Sequence, residues 1–212
     1  ADPAVVTLVW QEPTEIVYGS ALGPSELSAT AMCGGVAVPG TFTYSPPAGT
    51  VLPAGAGQLL SAQFTPTDRS RFASAQGSVQ ITVRPANLVV TPRNATKAYG
   101  APLPVFGVDY LGFVNGDDAT CLTPAVEVGT SARADSPVGQ YPITIAAGAS
   151  PNYTIVPQIA TLTVTKAALT VQAENKSKVY GAPLPSLTAT YTGFLGTDSP
   201  ASLTEPVTLS TY

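Results

Sequence analysis

The chain is 212 residues long, with 44% hydrophobic residues, only 10% charged ones and a net charge of −4, a balance that allows buried cores and argues against disorder. Its nine basic residues are scattered, so no basic stripe offers itself to nucleic acid or an anionic membrane, and no apolar run reaches the length of a membrane span. There is no histidine, which removes Ser-His-Asp and Cys-His nucleophile systems, while 21 Pro and 19 Gly favour short strands and turns over helices.

In chain order, Ala1-Asp2-Pro3 reads as a processing or expression scar outside the fold. Trp10 stands alone, and core packing is its expected role. Tyr18-Gly19 is the first of three Tyr-Gly pairs, repeated at Tyr99-Gly100 and Tyr180-Gly181, each 81 residues on. Gly permits a positive φ at a strand end, and the tyrosine is expected to pack its ring and send its hydroxyl to a backbone group. Cys33 follows, then a Gly40-Thr41-Phe42-Thr43-Tyr44-Ser45-Pro46 stretch with no counterpart downstream. Phe64, Arg71-Phe72 and Thr82-Val83 sit one period before Ile145, Asn152-Tyr153 and Thr163-Val164.

The second copy shows strand-like alternation at 88–91, 105–110, 126–128, 141–145 and 159–164, with turns at Asn115-Gly116-Asp117 and Gly148-Ala149-Ser150-Pro151-Asn152. The third copy repeats the second without a gap. Gly100-Ala101-Pro102-Leu103-Pro104 matches Gly181-Ala182-Pro183-Leu184-Pro185, Gly112-Phe113 matches Gly193-Phe194, and Leu122-Thr123 matches Leu203-Thr204. The expected organisation is a diverged repeat at 4–84, a repeat at 86–166 and an incomplete third at 167–212. Either the natural chain continues, or the third copy borrows strands from a neighbour, or the physical boundary is permuted relative to the period. The expected fold is all-β: tandem Ig-like antiparallel β-sandwich repeats, joined by the short connectors 83–86 and 164–167 into an elongated rod. The Cys-Trp-Cys core of antibody domains is absent, so the likeness is one of architecture.

The motif string Lys97-Ala98-Tyr99-Gly100-Ala101-Pro102-Leu103-Pro104, Gly112-Phe113-Val114-Asn115-Gly116-Asp117, Pro137-Val138-Gly139-Gln140-Tyr141-Pro142-Ile143, Asn152-Tyr153-Thr154-Ile155 and Leu162-Thr163-Val164 resembles the MBG repeat. Copy three carries its first half, from Lys178-Val179-Tyr180-Gly181 to Gly193-Phe194, with Gly196-Thr197-Asp198 in place of the Asn-Gly-Asp turn; copy one is similar to related bacterial Ig-like repeats. The resemblance implies tandem repeats of large bacterial surface and secreted proteins, many of them adhesins, and it carries no catalytic or ligand residues.

No enzyme chemistry and no cofactor are expected. Asp117-Asp118 lies in a Gly-flanked turn that explains its acids locally, and neither calcium-loop nor zinc spacing occurs. Cys33 and Cys121 are read as buried thiols or an inter-repeat disulfide. Three of five asparagines, Asn94, Asn152 and Asn175, stand in Asn-X-Ser/Thr acceptors for N-glycosylation. The functional expectation is a non-catalytic extracellular or cell-surface adhesion segment, stalk or adhesive surface, from a bacterial adhesin or a eukaryotic cell-cell adhesion protein such as an algal gamete-surface adhesin. Its partner would be a protein or glycan on another cell surface, with self-association through an exposed edge strand as a second mode and no direct membrane insertion. The alternatives are a carbohydrate- or protein-binding module, for which Tyr44, Tyr110 and Tyr191 are the aromatic candidates, and accessory repeats of a large secreted hydrolase.

Overall fold

Side chains alternate inward and outward along extended backbone, and the longest strands of the computed structural model, which describes residues 2–211, follow that rule closely. In copy one the strands are β1 (Thr7–Val9), β2 (Ile16–Val17), β3 (Thr30–Cys33), β4 (Val36–Ala37), β5 (Gly40–Ser45), β6 (Gly55–Pro66) and β7 (Ala75–Arg84). Along β6 the residues Leu60, Ala62 and Phe64 are buried, and along β7 Val79, Ile81 and Val83 are. Copy two supplies β8 (Ala86–Pro92), β9 (Ala95–Ala98), β10 (Val108–Leu111), β11 (Glu127–Thr130), β12 (Gly139–Ala147), β13 (Tyr153–Pro157) and β14 (Ala160–Thr165). Copy three supplies β15 (Thr170–Ala173) and β16 (Ala189–Thr192). Two 3-10 turns, Ala119–Cys121 and Pro200–Ser202, are the only helical segments among the described residues, and they too stand one period apart.

The chain packs as two compact units. The first takes residues 1–91, 108–127 and 145–158; the second takes 92–107, 128–144 and 159–212. The 81-residue sequence register and the packing thus divide the chain at different places.

In the first unit the sheets run β1-β3-β4, β2-β7-β6-β5 and β10-β8-β13. The four-stranded sheet turns one apolar face inward and shares it. At one end Phe64 packs with Val6, Ala31 and Val38. Further along, Leu60, Val79, Ile81 and Val83 pack with Leu88, Val90, Leu122 and Tyr153. This is a β-sandwich arrangement in which the four-stranded sheet packs against elements of the other two sheets through two apolar clusters. Phe64, Leu60, Ile81, Leu88 and Val90 are all essentially inaccessible to water, and truncating one such residue to alanine removes about 2–5 kcal/mol.

In the second unit the sheets are β11-β12-β14-β9 and β15-β16. Ile143 and Leu162 are fully buried there with Ala132 and Ala160, and Phe106 and Tyr141 pack against them.

Most pairings are antiparallel, but β2 runs parallel to β7, β9 to β14 and β13 to β8. The register repeats with the sequence. Ile16 lies opposite Val83, and one period on Lys97 lies opposite Val164. The β6–β7 and β12–β14 ladders do differ: Val79 faces Leu60, whereas Ala160 faces Ile143 rather than Tyr141. A slip of two residues keeps every side chain on its own face, so Ile143 enters the core without disturbing the pattern.

Candidate functional site

The Tyr-Gly pairs converge with a second motif, the Gly-Phe-aliphatic-x-x-Asp turn. Tyr18 follows β2, and its ring is buried at 7% exposure. Its hydroxyl donates to Asp117 Oδ2 at 2.9 Å, across 99 residues of sequence. The expected backbone acceptor is thus replaced by a carboxylate. Tyr153, on β13, donates to the same oxygen at 2.8 Å, while the Val114 amide donates to the Tyr153 hydroxyl at 3.0 Å and the Val114 carbonyl lies 3.2 Å away. The rings of Tyr18 and Tyr153 meet edge to face at 5.5 Å, and Phe113 meets Tyr153 in the same way at 5.3 Å, the favoured aromatic geometry.

Gly19 completes this clasp. Its φ is +96°, and a Cβ built on it would fall 2.6 Å from Val114 Cγ2. Only glycine supplies both the left-handed backbone and the clearance. Asn115 beside the hydroxyl draws the Tyr18 pKa down, but the Asp117 bond, burial and the Asp117 charge outweigh it and leave the net shift upward. Tyr153 is pushed up to about 12, first by burial, against the Val114 contact, and then by Asp117. Both hydroxyls are held in the neutral, donating form.

The second unit repeats the arrangement one period on. Asp198 lies beside Tyr99, and its charge, burial and its hydrogen bond raise the Tyr99 pKa. Gly100 has φ +75° and faces the Leu195 side chain so closely that a Cβ would collide with it. The third pair is built alike but stands open: Gly181 has φ +81° with nothing near it, and Tyr180 is fully exposed. The same grading holds for the lysine two residues before each later tyrosine. Lys97 is buried at 6% exposure, and its ammonium donates to the carbonyls of Ala134 at 2.8 Å, Ala101 at 3.0 Å and Ala98 at 3.3 Å. Three acceptors satisfy its three donors, which is what makes a buried ammonium tolerable. Lys178 donates to Ala182 and stays exposed.

The other sequence candidates are placed as follows. Asp118 Oδ1 accepts from the Thr120 amide at 2.8 Å and the Thr120 hydroxyl at 2.6 Å, and those bonds hold its pKa down. It caps its own turn, so the Asp117-Asp118 pair splits into one local and one long-range role. Cys33 and Cys121 are both free and half-buried, and burial, followed by the Asp117 and Asp118 charges, raises the Cys121 thiol pKa. No group of three or more His, Cys, Asp or Glu side chains among the described residues is arranged to hold a metal ion. Asn94 is exposed, with its Oδ1 accepting from Thr161 at 2.8 Å. Asn152 is half-buried, its Oδ1 accepting from the Ala54 amide at 2.9 Å. Asn175 is exposed. Trp10 packs on Tyr44 at 5.4 Å and donates to the Glu26 carbonyl at 3.0 Å. Tyr110 and Tyr191 pack on Phe113 and Phe194 at 5.5 and 5.7 Å, so the three aromatics weighed for sugar binding are half-buried against neighbouring rings.

Sequence reasoning missed the clasp, although its signal is present: Tyr18 and Asp117, then Tyr99 and Asp198, are the same residue types at the same 99-residue spacing. The family model described as MBG domain (YGX type) matches residues 88–163 and 169–212. No curated protein matches the chain.

Proposed function

The chain belongs to the MBG domain family of the YGX type, and we propose that it serves as a non-catalytic, extracellular load-bearing segment of a surface adhesion protein, its repeats linked end to end as a stiff rod. The observation that carries this reading is the clasp. A tyrosine of one copy donates to a carboxylate of the next, and its glycine seats that copy's aliphatic side chain. Each such link lies inside one packed unit and ties together the two sequence copies that build it, so it opposes the unit's extension, as a stalk under tension requires. Asp117, the acid first considered for chemistry, is engaged by two tyrosine hydroxyls, which leaves it poorly placed for catalysis. Asn94 and Asn175, exposed within their acceptor triplets, are the proposed glycan sites on this rod.

Small-angle scattering of the 212-residue chain tests the proposal. A compact globule of this length has a radius of gyration of about 17 Å. The rod requires a clearly larger value, and one near the globular figure overturns it.

A further inference from the structure

The second unit holds a cleft of about 360 Å³ whose walls include Tyr99, Leu169, Phe194, Leu195, Asp198 and Leu203. One period earlier these positions are Tyr18, Leu88, Phe113, Val114, Asp117 and Leu122. In the first unit those six share one core with Tyr153: Tyr18 and Phe113 meet its ring, and Val114 and Asp117 hold its hydroxyl. The backbone makes the same comparison. There β13 lies parallel on β8, with Tyr153 opposite Ala86 and Ile155 opposite Leu88, and β8 is the central strand of three. Its counterpart β15 pairs with β16 alone among the described residues. Val171 is 39% exposed where Val90 is 0%, and Leu169 is half-buried where Leu88 is 0% exposed.

We propose that the free edge at residues 167–171 and this cleft together form an acceptor groove for one added parallel β-strand of Asn-Tyr-Thr-Ile type, the strand of an MBG repeat corresponding to residues 152–156. Edge backbone supplies the ladder, and the cleft supplies side-chain selectivity, the usual division in strand addition. The incoming tyrosine enters between Tyr99 and Phe194 and donates to Asp198, the carboxylate that has one tyrosine where Asp117 has two. The incoming asparagine reaches the Asp135 region, since Asn152 bonds the Ala54 amide one period earlier. A second copy of this chain is a poor donor, because its own residues 153–157 are already laid on β8.

The probe is an end-blocked peptide of residues 151–158, titrated into the full chain and followed by NMR. Saturable binding is expected, with shifts at Ala167, Leu169, Tyr99 and Asp198. Replacing the peptide's tyrosine by phenylalanine, or Asp198→Asn in the chain, weakens it about tenfold, the loss of one hydrogen bond to a charged group; Asp118→Asn leaves it unchanged. A covalent version covers the case of a peptide too weak to detect. The full chain is lengthened after Tyr212 by a second copy of residues 132–166, which places the strand in the 81-residue register. Hydrogen exchange at Ala167 and Val171 then slows about tenfold or more. The proposal is overturned if neither form protects that edge. It is equally overturned if the phenylalanine peptide binds as well, if shifts concentrate at Tyr18 and Val108–Leu111, or if the chain instead dimerises with concentration.

Discussion

Replacing Asp117 by alanine removes the acceptor on which two buried hydroxyls meet. Tyr18 stands 2.9 Å and Tyr153 2.8 Å from the same oxygen, but their losses differ. Tyr153 retains the Val114 carbonyl at 3.2 Å, so it forfeits charge assistance, about 0.5–1.5 kcal/mol. Tyr18 keeps the Asn115 side chain beside its hydroxyl, but its O–H loses its acceptor, worth about 1–2 kcal/mol. Because Asp117 is itself half-buried, water recovers part of this, and the expected total is about 1–3 kcal/mol. Asp117→Asn keeps an acceptor and costs about 1 kcal/mol, as does Tyr18→Phe. Trp10, the single tryptophan, packs against the same core, so its fluorescence in urea reports the unit concerned. With a urea slope of about 2 kcal/mol/M, Asp117→Ala shifts the midpoint by about 0.5–1.5 M. A Tyr18→Phe, Asp117→Ala cycle should show coupling of about 1 kcal/mol. If Asp117→Ala unfolds with the parent, or if Asp118→Ala costs as much, the clasp is not a stabilising element.

Lys97→Met leaves three carbonyls without their donor and should destabilise the second unit by about 2–4 kcal/mol, read as lost hydrogen-exchange protection in β9 and β14; Lys178→Met, on an exposed lysine, stays within about 0.5 kcal/mol. Gly112→Ala meets two obstacles, φ at +118° and a collision with the Asn87 carbonyl oxygen, and should lose more than about 2 kcal/mol in calorimetry. Gly116→Ala, at φ +77° with open space around it, should lose only about 1 kcal/mol. Stability should fall as pH rises from about 10 to about 12: the Tyr153 pKa is raised to about 12 in the fold and is near 10 when unfolded, so the native state holds the proton longer and its contribution, complete below 10, is lost through that window. Tyr153→Phe should flatten the slope in urea midpoints measured across that range.

What the sequence made legible was whatever repeats locally. Alternation located β8, β12 and β14, and the period carries the β2–β7 register onto β9–β14 without a shift. The positive φ of all three Tyr-Gly glycines also follows from residue type. Long-range partners were less readable. Tyr18 was assigned a backbone acceptor because tyrosine hydroxyls at strand corners usually have one, and Tyr141, donating to the Pro137 carbonyl at 2.9 Å, does behave that way. Asp117 looked like its neighbour Asp118, and only three-dimensional placement separates a turn cap from a carboxylate that reaches back across 99 residues. The slip between β6 and β12 was likewise hidden, because pattern alone cannot detect a shift that preserves the face.

Chain connectivity sharpens what the clasp accomplishes. Tyr99 has an aspartate of its own copy only 18 residues downstream, Asp117, yet it is Asp198, 99 residues away, that stands beside it. Closing the longer loop costs only about 1.5 kcal/mol more, since the penalty grows with the logarithm of length. One buried hydrogen bond to a carboxylate is of that size, about 1.5–3 kcal/mol, and the aliphatic contact at the adjacent glycine adds to it. The loop penalty is therefore small enough to be met, while Asp117 is already engaged by Tyr18 and Tyr153. The clasp forms only where a glycine follows the tyrosine, because a larger residue would displace Val114 or Leu195. In copy one the positions one period before Val114 and Asp117 hold Cys33 and Val36, which offer no carboxylate to a tyrosine. Copy one thus gives the clasp and, with Cys33 and Val36 in those places, lacks the carboxylate to receive one.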